Sequence, residues 1–368
     1  MQVKAIKPRK IVTFLGAGAS APFKYPTTKS FLEQLEGFLT GEEKEYLNSI
    51  RSLYWVVDDV EHVVEILDSV LELESASQRT RLSTFLFRYP MSLDFVKKDD
   101  KQFYFSPSLK GKVSWSQLVK LSEGLRNQVE EFTFQQYESK VAQFPRIKRE
   151  YARFFLMLKN HFQENEFEVF TTNYDNAIED FSCKSGISCM LSVLDHEVNP
   201  RVENHEYNLL LTKLHGSLNW LIDKETGNIQ ISNAQARVRK GSPRWDRNEY
   251  VLFGTKTRLG EARIYDQLFD RLTQSLLKAG ICVIIGFSFR DKHITKIFND
   301  VLLQNSLLRL LIISRSPKEA AKNLIPQSGQ LKNLMKQKRI ITLRCSFGTM
   351  RAINQMNVTL SSIQGEGR

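Results

Sequence analysis

Cysteine is scarce in this 368-residue chain, and the few cysteines present are not spaced as metal or redox pairs. They are Cys183, Cys189, Cys282 and Cys345, and no two of them form a C-x-x-C motif. A zinc knuckle and a disulfide framework are therefore not indicated, and we expect reduced, structural thiols and no metal. The sequence also lacks any apolar run of about 18 residues without charges, the length that a membrane-spanning helix needs.

A signal-peptide pattern is missing too, because the first ten residues, MQVKAIKPRK, lead straight into a strand-like run. We therefore expect a cytoplasmic protein without membrane contact. Basic residues outnumber acidic ones by 11, which favours anionic partners such as nucleic acid, a phosphorylated ligand or an acidic protein face. Residues 237–247 and 318–344 are basic, and 42–74 are acid-rich. Solvated surface and nucleic-acid contact both remain open for the basic segments.

Short apolar runs that alternate with helical patterns predict an α/β fold. The runs lie at 11–15, 168–171, 209–214, 281–285 and 308–313. They are short and rich in β-branched residues, as is typical of strands buried on both faces of a parallel sheet. Helical patterns at 265–278, 291–303 and 317–336 accompany the later runs. The alternation predicts a Rossmann-like, doubly wound parallel sheet.

A large helical insertion interrupts this alternation. Ser30 and Glu33 resemble a capping box at the start of a first helix. Apolar residues then recur at helical spacing between 60 and 71 and between 151 and 162. We predict a discontinuous Rossmann-like domain at 1–40 and 165–345, a helical insertion at 41–164, and a tail at 346–368 to which no structure is assigned.

Four short motifs follow or end the predicted strands. Because ligands bind in the crevice at the carboxyl ends of the strands of an open α/β sheet, these motifs are candidates for one site. In chain order they are Gly16-Ala17-Gly18-Ala19-Ser20, Thr171-Thr172-Asn173-Tyr174-Asp175, Leu214-His215-Gly216-Ser217 and Gly286-Phe287-Ser288-Phe289-Arg290-Asp291.

The first motif fits the G-x-G-x-x-G/A spacing through Gly16, Gly18 and Ala21. Glycines at this spacing let the backbone turn tightly and approach a pyrophosphate, although an ordinary strand-to-turn junction is the alternative. Pro22 interrupts the place where the dehydrogenase helix begins, and no acidic residue ends a second strand about 20 residues later. Hydride-transfer chemistry is therefore disfavoured.

Asn173 and His215 are the candidate catalytic residues. Asn173 carries both a donor and an acceptor, so it can fix ribose hydroxyls or an attacking water. The unperturbed pKa of a histidine side chain lies near neutrality, so His215 can accept a proton from a sugar hydroxyl. A structural histidine is the alternative, but the neighbouring Gly216 and Ser217 favour the functional interpretation.

The remaining motif residues have simpler roles. Asp175 can hold its loop by accepting backbone N–H groups or cap the next helix. Gly286 and Ser288 suit a ribose or phosphate close to the backbone, and Asp291 is predicted to be a structural N-cap.

Together, the four motifs resemble those of the sirtuin family, most closely its sirtuin-like NADase branch found in bacterial antiphage defence systems. The resemblance covers about 8–40 and 165–315. It implies an NAD-binding Rossmann-like domain in which Asn173 and His215 match the catalytic Asn and His. The contacts with NAD, which is a substrate here, would then come from Gly16, Ala17, Gly18, Ala19, Ser20, Thr172, Asp175, Gly286 and Ser288.

The resemblance also implies the reaction. Protein-deacylating sirtuins carry a four-cysteine zinc module that this chain lacks, and Leu218-Asn219-Trp220 follow the His motif instead. Water is then the expected acceptor, so the chain would be an NAD⁺ glycohydrolase releasing nicotinamide and ADP-ribose. We expect it to deplete NAD as an antiphage effector, in an abortive-infection response. Regulation would come from homo-oligomerisation or a separate partner, such as a DNA-translocase-like ATPase or an Argonaute-like protein, through which nucleic acid could act.

Three alternatives remain open at this stage. The first is a non-hydrolytic module that binds NAD or ADP-ribose and signals through its partner. The second is an NAD-dependent protein deacylase. The third is a nuclease or DNA-binding subunit, for which the sequence shows no clustered carboxylates at strand ends.

Overall fold

The computed structural model describes residues 10–53, 60–72, 96–99, 102–105, 114–137, 144–191, 196–199, 207–218, 220–222, 229–231 and 263–365. The chain divides into two compact units. The first comprises Met1–Tyr25, Ser139–Leu252 and Ala262–Arg368, and the second comprises Pro26–Glu138 and Phe253–Glu261. The segments 1–9 and 237–247, on which two of the sequence-based expectations rest, lie outside the described residues.

The described part of the chain contains both strands and helices. The strands are β1 (Lys10–Leu15), β2 (Val96–Asp99), β3 (Gln102–Phe105), β4 (Glu166–Thr171), β5 (Cys189–Leu191), β6 (His196–Asn199), β7 (Asn208–Lys213), β8 (Trp220–Ile222), β9 (Ile229–Ile231), β10 (Ala279–Ile285), β11 (Arg309–Ser314) and β12 (Ile340–Arg344). The helices are α1 (Ala17–Ser20), α2 (Thr28–Phe38), α3 (Gly41–Leu53), α4 (Val60–Glu72), α5 (Trp115–Tyr137), α6 (Phe144–Phe162), α7 (Ala177–Ser185), α8 (Arg263–Lys278), α9 (Lys292–Gln304), α10 (Pro317–Leu324), α11 (Ser328–Lys336) and α12 (Met350–Gly365).

The first unit is built on an eight-stranded sheet in the order β12-β11-β10-β1-β4-β7-β5-β6. From β1 the chain adds β4 and β7 on one side and β10, β11 and β12 on the other. This is the doubly wound, Rossmann-like topology, so the predicted fold class is confirmed. Neighbouring strands are parallel throughout, except that the edge strand β6 runs antiparallel to β5. Neither β5 nor β6 was predicted from the sequence.

The central strands are continuous apolar runs because helices cover the sheet. All seven residues of β10 are buried, and five of the six residues of β1 are. The helix α6 contributes a stripe of aromatic rings, of which Tyr151 and Phe155 contact Phe181 of α7. Burial raises the thiol pKa of Cys282 in β10, which keeps the thiol protonated.

The second unit contains α2 to α5 and the β2–β3 hairpin. Its first helix begins after Thr27, whose side chain and Ser30 form a reciprocal capping box. The predicted cap at Ser30 is therefore wrong by three residues, since Ser30 is the third helical residue. The core of this unit includes an ion pair between Arg126 of α5 and Asp68 of α4, at 3.2 Å.

These units are bounded differently from the predicted domains. The helix α6, which was assigned to the insertion, belongs to the first unit, where it packs against α7 and α12. The tail, left unassigned from the sequence, contains α12. No helix among the described residues combines the length and the apolar character needed to cross a membrane.

Candidate functional site

The four predicted motifs lie at one edge of the sheet of the first unit. They follow β1, β4, β7 and β10, and these strands are neighbours in the order β10-β1-β4-β7. Parallel strands share the edge at which their carboxyl ends lie, so the structure brings together segments that are up to 270 residues apart in the chain.

The glycines of this edge form a close backbone contact. The Gly16 N–H donates to Ile285 O at 2.9 Å, and the Gly18 N–H donates to Gly286 O at 3.0 Å. A Cβ atom on Gly286 would lie 2.4 Å from backbone atoms of Gly18 and Ala19, and its φ is +68°. The missing side chains are therefore used to pack the turn after β1 (residues 16–20, here called the β1 turn) against the end of β10. The half-buried Ala17 and Gly18 leave some of this turn accessible.

Asn173 is held at the end of β4 by both its backbone and its side chain. Its N–H donates to Thr171 Oγ1, and Thr171 in turn donates to Leu15 O, each at 3.0 Å. The side-chain Nδ2 donates to Ser20 Oγ at 3.0 Å, which ties β4 to the β1 turn. The residue is only 8% exposed, and Oδ1 has no hydrogen-bond partner among the described residues. A buried acceptor of this kind carries an energetic cost unless a ligand or water donates to it.

Asp175 and Tyr151 are both buried near Ser20, which follows β1. Asp175 Oδ1 accepts the Ala177 N–H at 3.0 Å and so holds the start of α7. Burial raises the pKa of Asp175, while the charge of Lys213 and the Ser20 hydroxyl oppose the shift. Burial and the charge of Asp175 likewise raise the pKa of Tyr151 well above its ordinary value. Tyr151 is a neutral phenol at physiological pH.

Lys213, the last residue of β7, is the best-connected side chain of the site. It is fully buried, and five oxygen atoms lie within 3.3 Å of Nζ. They are the Tyr174 and Asp175 carbonyls, Asn176 Oδ1, Glu179 Oε1 and Ser217 Oγ. The ammonium group thus fixes the loop after β4 to the loop after β7. Sequence analysis assigned no role to this lysine.

His215 is held by a carboxylate from the loop after β10. Its Nε2 lies 2.9 Å from Asp291 Oδ2, and the imidazole ring is buried. Asp291 also caps α9, as predicted, because Oδ1 accepts the Ile294 N–H at 2.9 Å. Burial acts to raise the pKa of Asp291, but the hydrogen bond and charge of His215 and two backbone N–H groups outweigh it, so that the pKa is lowered. The link to His215 was not found from the sequence.

Two of the predicted NAD contacts stand apart from this buried network. Ser288 is exposed, and its carbonyl accepts from Asn323 Nδ2 at 2.9 Å. Thr172 is half-buried, and its N–H donates to Leu15 O at 3.2 Å. Within the described residues, no three or more His, Cys, Asp or Glu side chains are grouped to hold a metal ion.

Comparison with known proteins gives one family match. Residues 168–343, a little under half of the chain, match the family model described as a SIR2-like domain. A search of curated proteins finds no match.

Among solved structures, similar folds come from Sir2 proteins at low identity. A Sir2 homologue in complex with NAD is 12% identical, with a TM-score of 0.43 over 96% of this chain and 90% of that one. A mutant Sir2 homologue in complex with ADP-ribose is also 12% identical, with a TM-score of 0.43 over 97% and 93% of the two chains. Sir2Tm bound to a propionylated peptide is 10% identical, with a TM-score of 0.38 over 89% and 93%.

The family match covers three of the four strand ends of the site and begins after the first. It includes Asn173, Lys213, His215 and Asp291, whereas the β1 turn precedes it. Residues 168–343 are thus similar to a SIR2-like domain.

Proposed function

We propose that this chain is an NAD⁺ glycohydrolase, which converts NAD⁺ and water into nicotinamide, ADP-ribose and a proton. The observation that carries the proposal is the buried amide of Asn173, whose Oδ1 lacks a partner among the described residues. Asn173 follows β4, and His215 follows the neighbouring strand β7. A ribose hydroxyl or a water molecule would supply the donor that Oδ1 lacks. The SIR2-like domain match over the same residues supports this assignment.

The departure of nicotinamide requires little catalytic assistance from the protein. Nicotinamide in NAD⁺ is already positively charged, so its departure needs no general acid. The transition state resembles an oxocarbenium ion, as in glycoside hydrolysis, and the site must orient the ribose and admit one water. Asn173 would position the ribose or that water. His215 would hydrogen-bond to, or deprotonate, a hydroxyl of the nicotinamide ribose.

The β1 turn is the proposed place for the diphosphate. Its half-buried residues, Ala17 and Gly18, present backbone without bulky side chains. Ser20, bonded to Asn173, connects this turn to the reacting ribose. Ala19, Gly16, Thr172 and Asp175 would shape this part of the site, and Gly286 and Ser288 the adenosine side.

An NADase without control would harm the cell that makes it. We therefore also propose that the activity of this chain is regulated. The chain would act as the NAD-depleting effector of an antiphage system and would assemble as a homo-oligomer. A separate partner, such as a DNA-translocase-like ATPase or an Argonaute-like protein, would report the phage signal, with nucleic acid bound by that partner.

The direct test is NAD⁺ consumption by the full chain with product analysis, alone and with the protein encoded beside it. Asn173→Ala and His215→Ala should each reduce turnover at least 100-fold, on the order of the loss when a catalytic group is removed. His161→Ala is the matched control, because His161 lies on α6 and bonds Asn357 of α12. Full turnover by either site variant would contradict the assignment.

The same assay separates the alternatives. NAD bound but not consumed, with the neighbouring protein present, would favour the signalling module. Acyl-ADP-ribose formed only when an acylated peptide is added would favour the deacylase.

A further inference from the structure

Asp291 carries out two tasks with its two carboxylate oxygens. Oδ1 caps α9 by accepting the Ile294 N–H, and Oδ2 lies 2.9 Å from Nε2 of His215. The strands that lead to these residues, β10 and β7, have β1 and β4 between them in the sheet. The carboxylate therefore links the two sides of the strand-end edge where the NAD site is proposed.

We propose that Asp291 is the positioning residue of His215. It holds the imidazole in one orientation and stabilises the imidazolium that forms when the ring takes a proton. The proposal deepens the NADase assignment and rests on it. A carboxylate in this place acts through the histidine and does not itself touch the substrate.

The direction of proton transfer follows from the contact. With Nε2–H donating to Asp291, Nδ1 is the nitrogen that would accept the proton of the ribose hydroxyl. The proton leaves the hydroxyl oxygen, the ring becomes a cation, and the ionised Asp291 lies against that cation. The lowered pKa of Asp291 keeps the carboxylate ionised at neutral pH.

Burial strengthens this pair. His215 is 5% exposed, and the Asp291 side chain is 18% exposed. Ion pairs shielded from water interact more strongly than those at the surface. Among the described residues, the ring centroid of Tyr174 lies 6.4 Å from that of His215, and the charged Lys213, two residues earlier in the chain, pairs with Glu179.

The N-cap alone would not require a carboxylate, which makes the two tasks separable. Asn, Asp and Ser are about equally good N-caps. Asp291→Asn keeps the cap and removes the charge. Asp291→Ser keeps the cap with a side chain too short to span both partners.

We expect Asp291→Asn to unfold within about 2 °C of the wild-type midpoint, because the cap is preserved. Asp291→Ser also loses the buried contact with His215 and should unfold at a lower temperature. The kcat for NAD⁺ hydrolysis should fall at least tenfold, with KM changed less than threefold. In Asp291→Asn the acid limb of the kcat/KM profile should move to lower pH, because a histidine without its carboxylate loses its proton more easily. Unchanged kcat and pH profile in a folded variant would overturn the proposal.

A second measurement does not depend on turnover. In the full chain with labelled histidine, the His215 resonance is identified by its loss in His215→Ala, and its pKa is followed by NMR. Asp291→Asn should lower this pKa by about one unit. An unchanged His215 pKa would refute the charge link. Wild-type protein that fails to consume NAD⁺ while this shift is present would refute only the NADase assignment.

Discussion

The buried ammonium of Lys213 shows how much of this site depends on one residue. An isolated charge in a protein interior is costly, and Lys213 is tolerated because Glu179 and four neutral oxygens surround it. The Glu179 side chain is itself only 7% exposed. Each partner therefore depends on the other, and the loop that carries Asn173 is fixed between them.

We predict that Lys213→Met destabilises the first unit by about 3–5 kcal/mol, the usual cost of leaving a buried carboxylate unpaired. The double variant Lys213→Met/Glu179→Gln should recover part of that loss, because the Glu179 carboxylate is no longer left without its partner. Denaturant unfolding measures both. Lys184→Met, at an exposed position of α7, is the control and should stay within about 0.5 kcal/mol of wild type. A Lys213→Met variant as stable as this control would show that the network contributes nothing.

Glu164 gives a prediction on pH. Burial raises its pKa from 4.5 to about 7, against the opposing effects of the Ile11 backbone and Lys10. A carboxyl with a raised pKa in the folded state holds its proton longer than the unfolded chain does. Stability is therefore unaffected below about pH 4.5, falls as the pH rises to 7, and stays reduced above that.

The amide of Glu164→Gln cannot ionise, so this variant should escape the loss. At pH 8 it should be more stable than wild type by about 1 kcal/mol, a figure reduced for partial exposure, and the difference should vanish at pH 4. Thermal unfolding at both pH values tests this. Glu319→Gln, at an exposed position of α10, is the matched control. Equal gains at both pH values would show that ionisation is not the cause.

At the scale of residues, the sequence indicated some members of the candidate site and not others. Asn173 and His215 were selected from the sequence because they are polar residues directly after apolar strands, and their catalytic role stays a prediction. The contacts of Lys213 and Asp291 could not be predicted, since their partners come from other strand ends. His215 and Asp291 are 76 residues apart, and no local sequence pattern indicates that they are in contact. The N-cap role alone accounts for an aspartate at position 291, so the local sequence does not indicate its second contact.

At the scale of elements, the central strands were the most predictable part. A strand buried on both faces reads as a continuous apolar run, as in β10 and β11. The edge strand β6 (His196–Asn199) has no such run. The start of α2 was misplaced because Thr27 and Ser30 form a capping box of two hydroxyl residues, which resembles the Ser30–Glu33 pattern shifted by three. The β2–β3 hairpin was missed because its two short strands lie within a long helical pattern.

The contact between the β1 turn and the end of β10 gives an element-scale prediction. Gly286→Ala should destabilise the protein by about 3 kcal/mol or more, since a Cβ would lie 2.4 Å from Ala19 N at a φ of +68°. Displacing the turn should also lower NAD⁺ turnover. Gly329→Ala is the control: a Cβ there meets nothing within 4 Å, and alanine in helix α11 should stabilise by about 0.5–1 kcal/mol. A Gly286→Ala variant as stable as wild type would show that the turn can move away.

At the scale of the whole molecule, the bounds of the two compact units differ from those of the domains predicted from the sequence. Helix α6 lies among helical patterns along the sequence, but its aromatic stripe is buried with Phe167 and Phe181 in the first unit. Hydrophobic periodicity identifies a helix but does not say which core buries its apolar face. The boundary predicted between residues 164 and 165, where the helical pattern changes to a strand pattern, therefore lies within the first unit.

The proposed site gives a prediction that is tested by hydrogen exchange along the whole chain. If ADP-ribose binds at the carboxyl edge of the sheet, hydrogen exchange should slow together in segments 16–20, 172–176, 214–218 and 286–291, which the fold alone brings near one another. Helices α4 and α5 of the second unit should exchange as before. His215→Ala, which retains the turn, should keep most of this protection, whereas Gly286→Ala should lose it. Protection confined to the basic residues 318–344 would instead indicate an anion-binding surface and would remove the strand-end site from consideration.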